Sequence, residues 1–108
     1  MFENPKTTVL MYAIQCGQTE AIQHLLAMDA NPTITDTVGR TSLHLAAFSG
    51  NEEIIRLLLQ TEMFEDDIDK RSSGGESALM CAVRSGKNLA VAEILNAGAN
   101  PFVYNCTG

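Results

Sequence analysis

Thr41-Ser42-Leu43-His44-Leu45-Ala46-Ala47-Phe48-Ser49-Gly50 carries the reading of the fold, because the chain writes this stretch three times in register. Thr8-Val9-Leu10-Met11-Tyr12-Ala13-Ile14-Gln15-Cys16-Gly17 precedes it and Ser77-Ala78-Leu79-Met80-Cys81-Ala82-Val83-Arg84-Ser85-Gly86 follows, the leucine, alanine and glycine positions stepping by 33 and then by 36 residues. Self-similarity at such a period marks a solenoid, in which units too small to bury an apolar face alone stack so that each covers its neighbours. Stacks of this kind are expected to serve as surfaces for other proteins.

Within each copy, leucine and alanine recur at helical spacing, and a hydroxyl residue able to accept the free amides of a helix start stands in front of them. Thr8, Thr41 and Ser77 are therefore predicted helix caps. Gly17, Gly50 and Gly86 are predicted to end these short first helices in the left-handed conformation. A second helix is expected in each copy. Its apolar stripes are Ala21, Ile22, Leu25 and Leu26, then Ile54, Ile55, Leu57, Leu58 and Leu59, then Ala90, Val91, Ile94 and Leu95. Ala30-Asn31-Pro32 and Ala99-Asn100-Pro101 stop the second helices, since proline cannot continue them and asparagine suits a turn. The chain is then expected to run extended to Gly39, Gly75 or Gly108, where the next unit would begin.

Composition agrees with a folded domain: 108 residues, 45% hydrophobic and 19% charged. The net charge of −6, with no basic block longer than Lys70-Arg71, argues against nucleic acid or an anionic membrane as partner. No apolar run approaches the roughly 18 residues of a membrane span, and Met1-Phe2-Glu3-Asn4-Pro5-Lys6 lacks the layout of a signal peptide. Cys16, Cys81 and Cys106 are odd in number and show no CxxC spacing, which favours an intracellular, reduced protein in the cytoplasm or nucleus.

Gly39-Arg40-Thr41-Ser42-Leu43-His44-Leu45-Ala46-Ala47-Phe48-Ser49-Gly50 resembles the G-x-T-P-L-H-x-A-A-x-x-G opening of the ankyrin repeat, and the likeness extends over residues 7–108. The resemblance implies an all-α solenoid of stacked helix-turn-helix units joined by extended hairpin loops. A single domain is expected, with repeats at about 7–39, 40–75 and 76–108. It also implies that the ring nitrogens of His44 bond the backbone of the adjoining turn. The motif proline is replaced by Val9, Ser42 and Ala78, and its histidine by Met11 and Met80 in the outer copies. Asp29 stands where the family has a glycine, so a modestly strained left-handed turn is expected there. Eight residues separate Leu59 from Ile68, whereas five separate Leu26 from Pro32. The three-residue excess falls in Gln60-Thr61-Glu62-Met63-Phe64-Glu65-Asp66-Asp67, an acidic loop expected to project from the stack.

No catalytic or cofactor pattern emerges. His24 and His44 occupy non-equivalent positions and lack a positioned nucleophile, so a non-enzymatic chain is expected. A calcium loop counted from Asp67 would place Ser72 at the glycine position and Ala78 at the bidentate glutamate, which excludes it. No phosphate-cradling glycine motif occurs, and Met11 and Met80, at equivalent positions, are expected to pack rather than to bind metal.

If the resemblance holds, hairpin loops and first helices line a concave face on which partners dock. Positions that vary between copies are free for recognition: Gln15, Phe48 and Arg84 at one place, Ser49 beside them, and Val38, Arg40, Arg71 and Tyr104 at the hairpins. Phe48 is the sharpest candidate, because a place that accepts Gln15 and Arg84 has no packing need for an aromatic, and aromatics with arginine dominate binding hot spots. The expected function is a protein–protein interaction module holding a protein or peptide ligand. Arg40, Arg71 and Arg84 would favour an acidic or phosphorylated one. Two alternatives are a structural spacer within a longer array and self-association through exposed repeat ends.

Overall fold

The computed structural model describes residues 5–101, and among them every regular element is an α-helix. In chain order these are α1 (Pro5–Cys16), α2 (Thr19–Ala27), α3 (Ser42–Ser49), α4 (Glu52–Gln60), α5 (Ala78–Arg84) and α6 (Asn88–Asn96). They form three antiparallel pairs. The first helices α1, α3 and α5 stack in one row, and the second helices α2, α4 and α6 in another.

The core follows from the periodic residues. Leu10, Ile14, Leu43, Ala46, Ala47 and Ala82 of the first row meet Ile22, Ile54, Ile55, Leu58, Ala90 and Ile94 of the second in one continuous buried cluster. Alanine recurs where helices cross because a larger side chain would hold the rows apart. An exposed ion pair, Arg56 Nε to Glu93 Oε2 at 3.0 Å, ties α4 to α6 across the second row.

Helix starts agree with the hydroxyl positions in two copies and differ in one. The Thr41 hydroxyl accepts from the His44 amide at 3.4 Å and the Ser77 hydroxyl from the Met80 amide at 3.3 Å. Thr8 instead lies inside α1, which begins at Pro5. Proline suits the first turn, where its missing N–H would have had no intrahelical partner, so the helix extends past the threonine. Asn51 caps α4 through bonds to the Glu53 and Ile54 amides, a role not assigned from the repeat.

Gly50 ends α3 at φ +74°, and Gly17 and Gly86 share that left-handed conformation. The second helices also end left-handed, and here glycine is used only once. Asp29, Glu62 and Gly98, which are repeat-equivalent, have φ of +67°, +59° and +105°. The strained turn expected at Asp29 is therefore present twice.

The acidic loop does not simply project. Glu65 and Asp66 are exposed, but Phe64 and Ile68 are buried in the core, only 3% and 7% exposed. The charge of the segment dominated its reading as a sequence, whereas apolar residues four apart let one turn fold back onto the stack. Asp69 then accepts the Asn100 amide at 2.9 Å, linking this loop to the end of the third pair.

Candidate functional site

The surface beside the first helices is built from two tight hairpin turns. In one, the Asp36 carbonyl accepts the Gly39 amide at 3.0 Å and Asp36 N–H donates to the Arg40 carbonyl at 2.9 Å. In the next, Ser72 does the same with Gly75 and Glu76, at 2.9 and 2.8 Å. The turns are joined by Ser73 N–H donating to the Val38 carbonyl at 2.8 Å. A Cβ on Gly39 would stand 3.1 Å from the Ser73 nitrogen, so a side chain at this already left-handed position would push the two hairpins apart.

His44 locks the second hairpin to α3. Its Nδ1 accepts the Thr41 amide at 3.1 Å, which leaves Nε2 to carry the proton donated to the Glu76 carbonyl at 2.9 Å. Burial lowers the His44 pKa, the carbonyls of Glu76 and Lys70 offsetting only part of that effect. The ring is thus neutral and fully committed to backbone, as expected for a structural histidine. Burial, reinforced by the neighbouring Glu76 charge, raises the Cys81 thiol above its usual range, which keeps it protonated and a poor nucleophile.

Phe48, at the end of α3, is 57% exposed. The Arg84 guanidinium of α5 lies over its ring, 5.8 Å from the centroid, while Arg84 Nη2 donates to Glu76 Oε1 at 2.8 Å. A cation placed over an aromatic face and paired with a carboxylate makes an exposed plate with an apolar side and a polar rim. Arg40 is likewise engaged, its Nε 2.9 Å from Asp36 Oδ2. Burial works to raise the Asp36 pKa, but the Arg40 and Val38 amides and the Arg40 guanidinium outweigh it and hold the carboxyl below the usual range.

Two of the three candidate arginines are therefore neutralised within the chain. Arg71 is exposed and makes no ion pair among the described residues. Val38 is 45% exposed beside the hairpin seam, and Gln15 is exposed at the end of α1. The Ser49 hydroxyl is turned back onto the Ala46 carbonyl at 2.9 Å, so it offers less to a ligand than its place implied. Tyr104 lies outside the described residues.

A second surface lies apart from the variable loop positions. Between α1 and α2, on the side away from the second pair, an apolar groove of about 620 Å³ is lined by Val9, Tyr12, Cys16, Ala21, His24 and Leu25 among others. The signal was present in Val9 and Tyr12, bulky residues where the other copies have Ser42 and Leu45 or Ala78 and Cys81. Among the described residues no group of three or more His, Cys, Asp or Glu converges on a metal-sized site, and no helix is long and apolar enough to cross a membrane.

Comparison with known proteins gives a match of residues 10–105 to the family model for ankyrin repeats in three copies. Neurogenic locus notch homolog protein 1 of Danio rerio is 28% identical over 101 residues, 94% of this chain and 4% of that protein. Nuclear factor NF-kappa-B p105 subunit of Gallus gallus is 31% identical over 93 residues, 86% of this chain and 10% of that protein. E3 ubiquitin-protein ligase XBAT33 of Arabidopsis thaliana is 34% identical over 94 residues, 86% of this chain and 18% of that protein. The chain thus spans less than a fifth of the length of the curated relatives it matches.

Proposed function

This chain belongs to the ankyrin repeat family, whose repeats are generally protein–protein interaction modules, and we propose that it binds a protein or peptide on the face shared by its hairpins and first helices. The observation that carries this reading is the Phe48–Arg84 plate. Phe48 stands where the other copies carry Gln15 and Arg84, it remains exposed, and the Arg84 guanidinium lies over its ring while paired with Glu76. A pre-ordered aromatic–arginine pair loses little side-chain freedom on binding, which is what makes such pairs effective anchors. An apolar ligand residue would rest on Phe48, and an acidic or phosphorylated group would meet Arg71 first, since Arg40 and Arg84 already hold Asp36 and Glu76. No step of this function requires a cofactor, and the free thiols Cys16 and Cys81 suit a reducing intracellular compartment.

The test is quantitative capture from whole-cell lysate with this chain beside a Phe48→Ala/Arg84→Gln double variant whose helicity is checked by circular dichroism. Proteins retained by the first and depleted about tenfold or more by the second support the reading. Identical sets of captured proteins overturn it. They would favour a second reading, a structural spacer within a longer array, which is motivated by the small share of the relatives that the chain spans.

A further inference from the structure

Each helix pair has a face turned toward the pair before it and a face turned toward the pair after it, and two hydrogen bonds identify them. Ser42 Oγ donates back to the Pro32 carbonyl at 2.7 Å, and Ser85 Oγ donates back to the Ala47 carbonyl at 3.3 Å. The backward face of the second pair therefore includes Ser42, Leu45 and Ala46, and that of the third includes Ala78, Cys81 and Ala82, all buried. The equivalent residues of the first pair are Val9, Tyr12 and Ala13. Ala13 keeps the alanine, but Val9 and Tyr12 are 50% and 68% exposed, and they line the groove between α1 and α2.

The forward face shows the mirror situation. Ile14 and Ala47 are 1% and 0% exposed because the next pair covers them, whereas Val83, their equivalent in α5, is 61% exposed. Leu95, equivalent to the half-buried Leu26 and Leu59, is exposed as well. Among the described residues, one chain thus carries both halves of the seam it uses twice internally, the backward half exposed on α1 and the forward half exposed on α5 and α6.

We propose that a second copy of this chain docks its α5–α6 face into the α1–α2 groove, continuing the stack head to tail. The occupant follows from continuity with the internal seams, where this same backward face receives a forward face of the same register. Burial of Val9, Tyr12, Val83 and Leu95 supplies the driving force. The contact is heterologous, so each added copy leaves a free face and the assembly has no closed size. It uses a surface separate from the Phe48–Arg84 plate, and either proposal can fail without the other.

Sedimentation velocity of the full chain over a concentration series tests this. The expected result is a mass that rises with concentration without stopping at a dimer. Tyr12→Glu and Val83→Glu should each weaken self-association about tenfold or more. Mixed together, they should form a one-to-one dimer and nothing larger, because each variant retains the face the other has lost. Leu89→Glu is the control, since Leu89 is 65% exposed at the place where the other copies carry Glu20 and Glu53. It should leave association unchanged, as should Phe48→Ala. Circular dichroism verifies folding, and Tyr12→Ser and Val83→Ser replace either glutamate variant that loses helicity. A monomer at every concentration overturns the proposal, as does loss of association with only one of the two variants, or a mixture that stays monomeric.

Discussion

The first and second helix pairs share one repeat frame, with Leu10, Ala13, Gly17, Ile22 and Leu25 returning as Leu43, Ala46, Gly50, Ile55 and Leu58, and differ in how much that frame accomplishes. In the second pair Thr41 and His44 cap each other, Asn51 caps α4, and Ile54, Ile55 and Leu58 are fully buried. In the first pair Met11 replaces the histidine, Gln18 provides no side-chain cap for α2, and Leu25, equivalent to Leu58, is only half-buried beside an open groove. A repeat residue acquires its energetic weight from the neighbour that covers it. Identity in the repeat does not imply equality in stability.

The largest test of that contrast is a matched pair of truncations. Leu58→Ala should destabilise the chain by about 3–4 kcal/mol, through lost burial and the cavity left behind, and Leu25→Ala by about 1–2 kcal/mol, because its site already opens to solvent. Urea denaturation followed by circular dichroism measures both. Equal losses would break the comparison.

His44→Ala should cost about 2–3 kcal/mol, since it leaves the buried Thr41 amide without its acceptor and takes from the Glu76 carbonyl one of its two donors, the Ser72 amide remaining. The same residue imposes a pH dependence. Its folded pKa is lowered, so the unfolded chain binds the proton more readily, and stability is full above the unfolded pKa of about 6.5 and falls as pH drops below it. Thermal unfolding between about pH 5 and 7 should show this slope, and His44→Met, which installs the residue of the outer copies, should flatten it. A slope unchanged in that variant would remove His44 as its source.

The smallest expected effect lies at the feature the two pairs share. Asp29→Gly and Glu62→Gly relieve left-handed conformations at equivalent turns and should stabilise by about 0.5–1 kcal/mol each, glutamate gaining the more because aspartate tolerates that conformation better. Thermal melts of the two variants and their combination measure the gain.

Much of this was legible in the residues. Leucine, alanine and glycine at fixed spacing report local geometry and the covered side of a helix, and the helix pairs and the caps at Thr41 and Ser77 follow from them and from the hydroxyls in front, whereas the structural use of His44 was implied by the resemblance to the ankyrin repeat. Thr8 was misread because a cap depends on where the helix actually starts, and Pro5 moved that point. Phe64 was missed because its neighbours are charged, and only a folded turn reveals that it points inward. The pairing of Arg84 with Glu76 and Phe48 joins residues on two helices and a hairpin, contacts that spacing along the chain does not encode.

By itself, then, the sequence determined the repeat, its period, its helical content and the family, because these rest on interactions within a few residues of one another and on self-similarity. Only the tertiary structure decided which arginines remain free, where the acidic loop lies and that a groove stands open beside Tyr12. Those depend on which surfaces meet when the helix pairs stack, and burial and charge pairing are properties of that meeting rather than of any one residue.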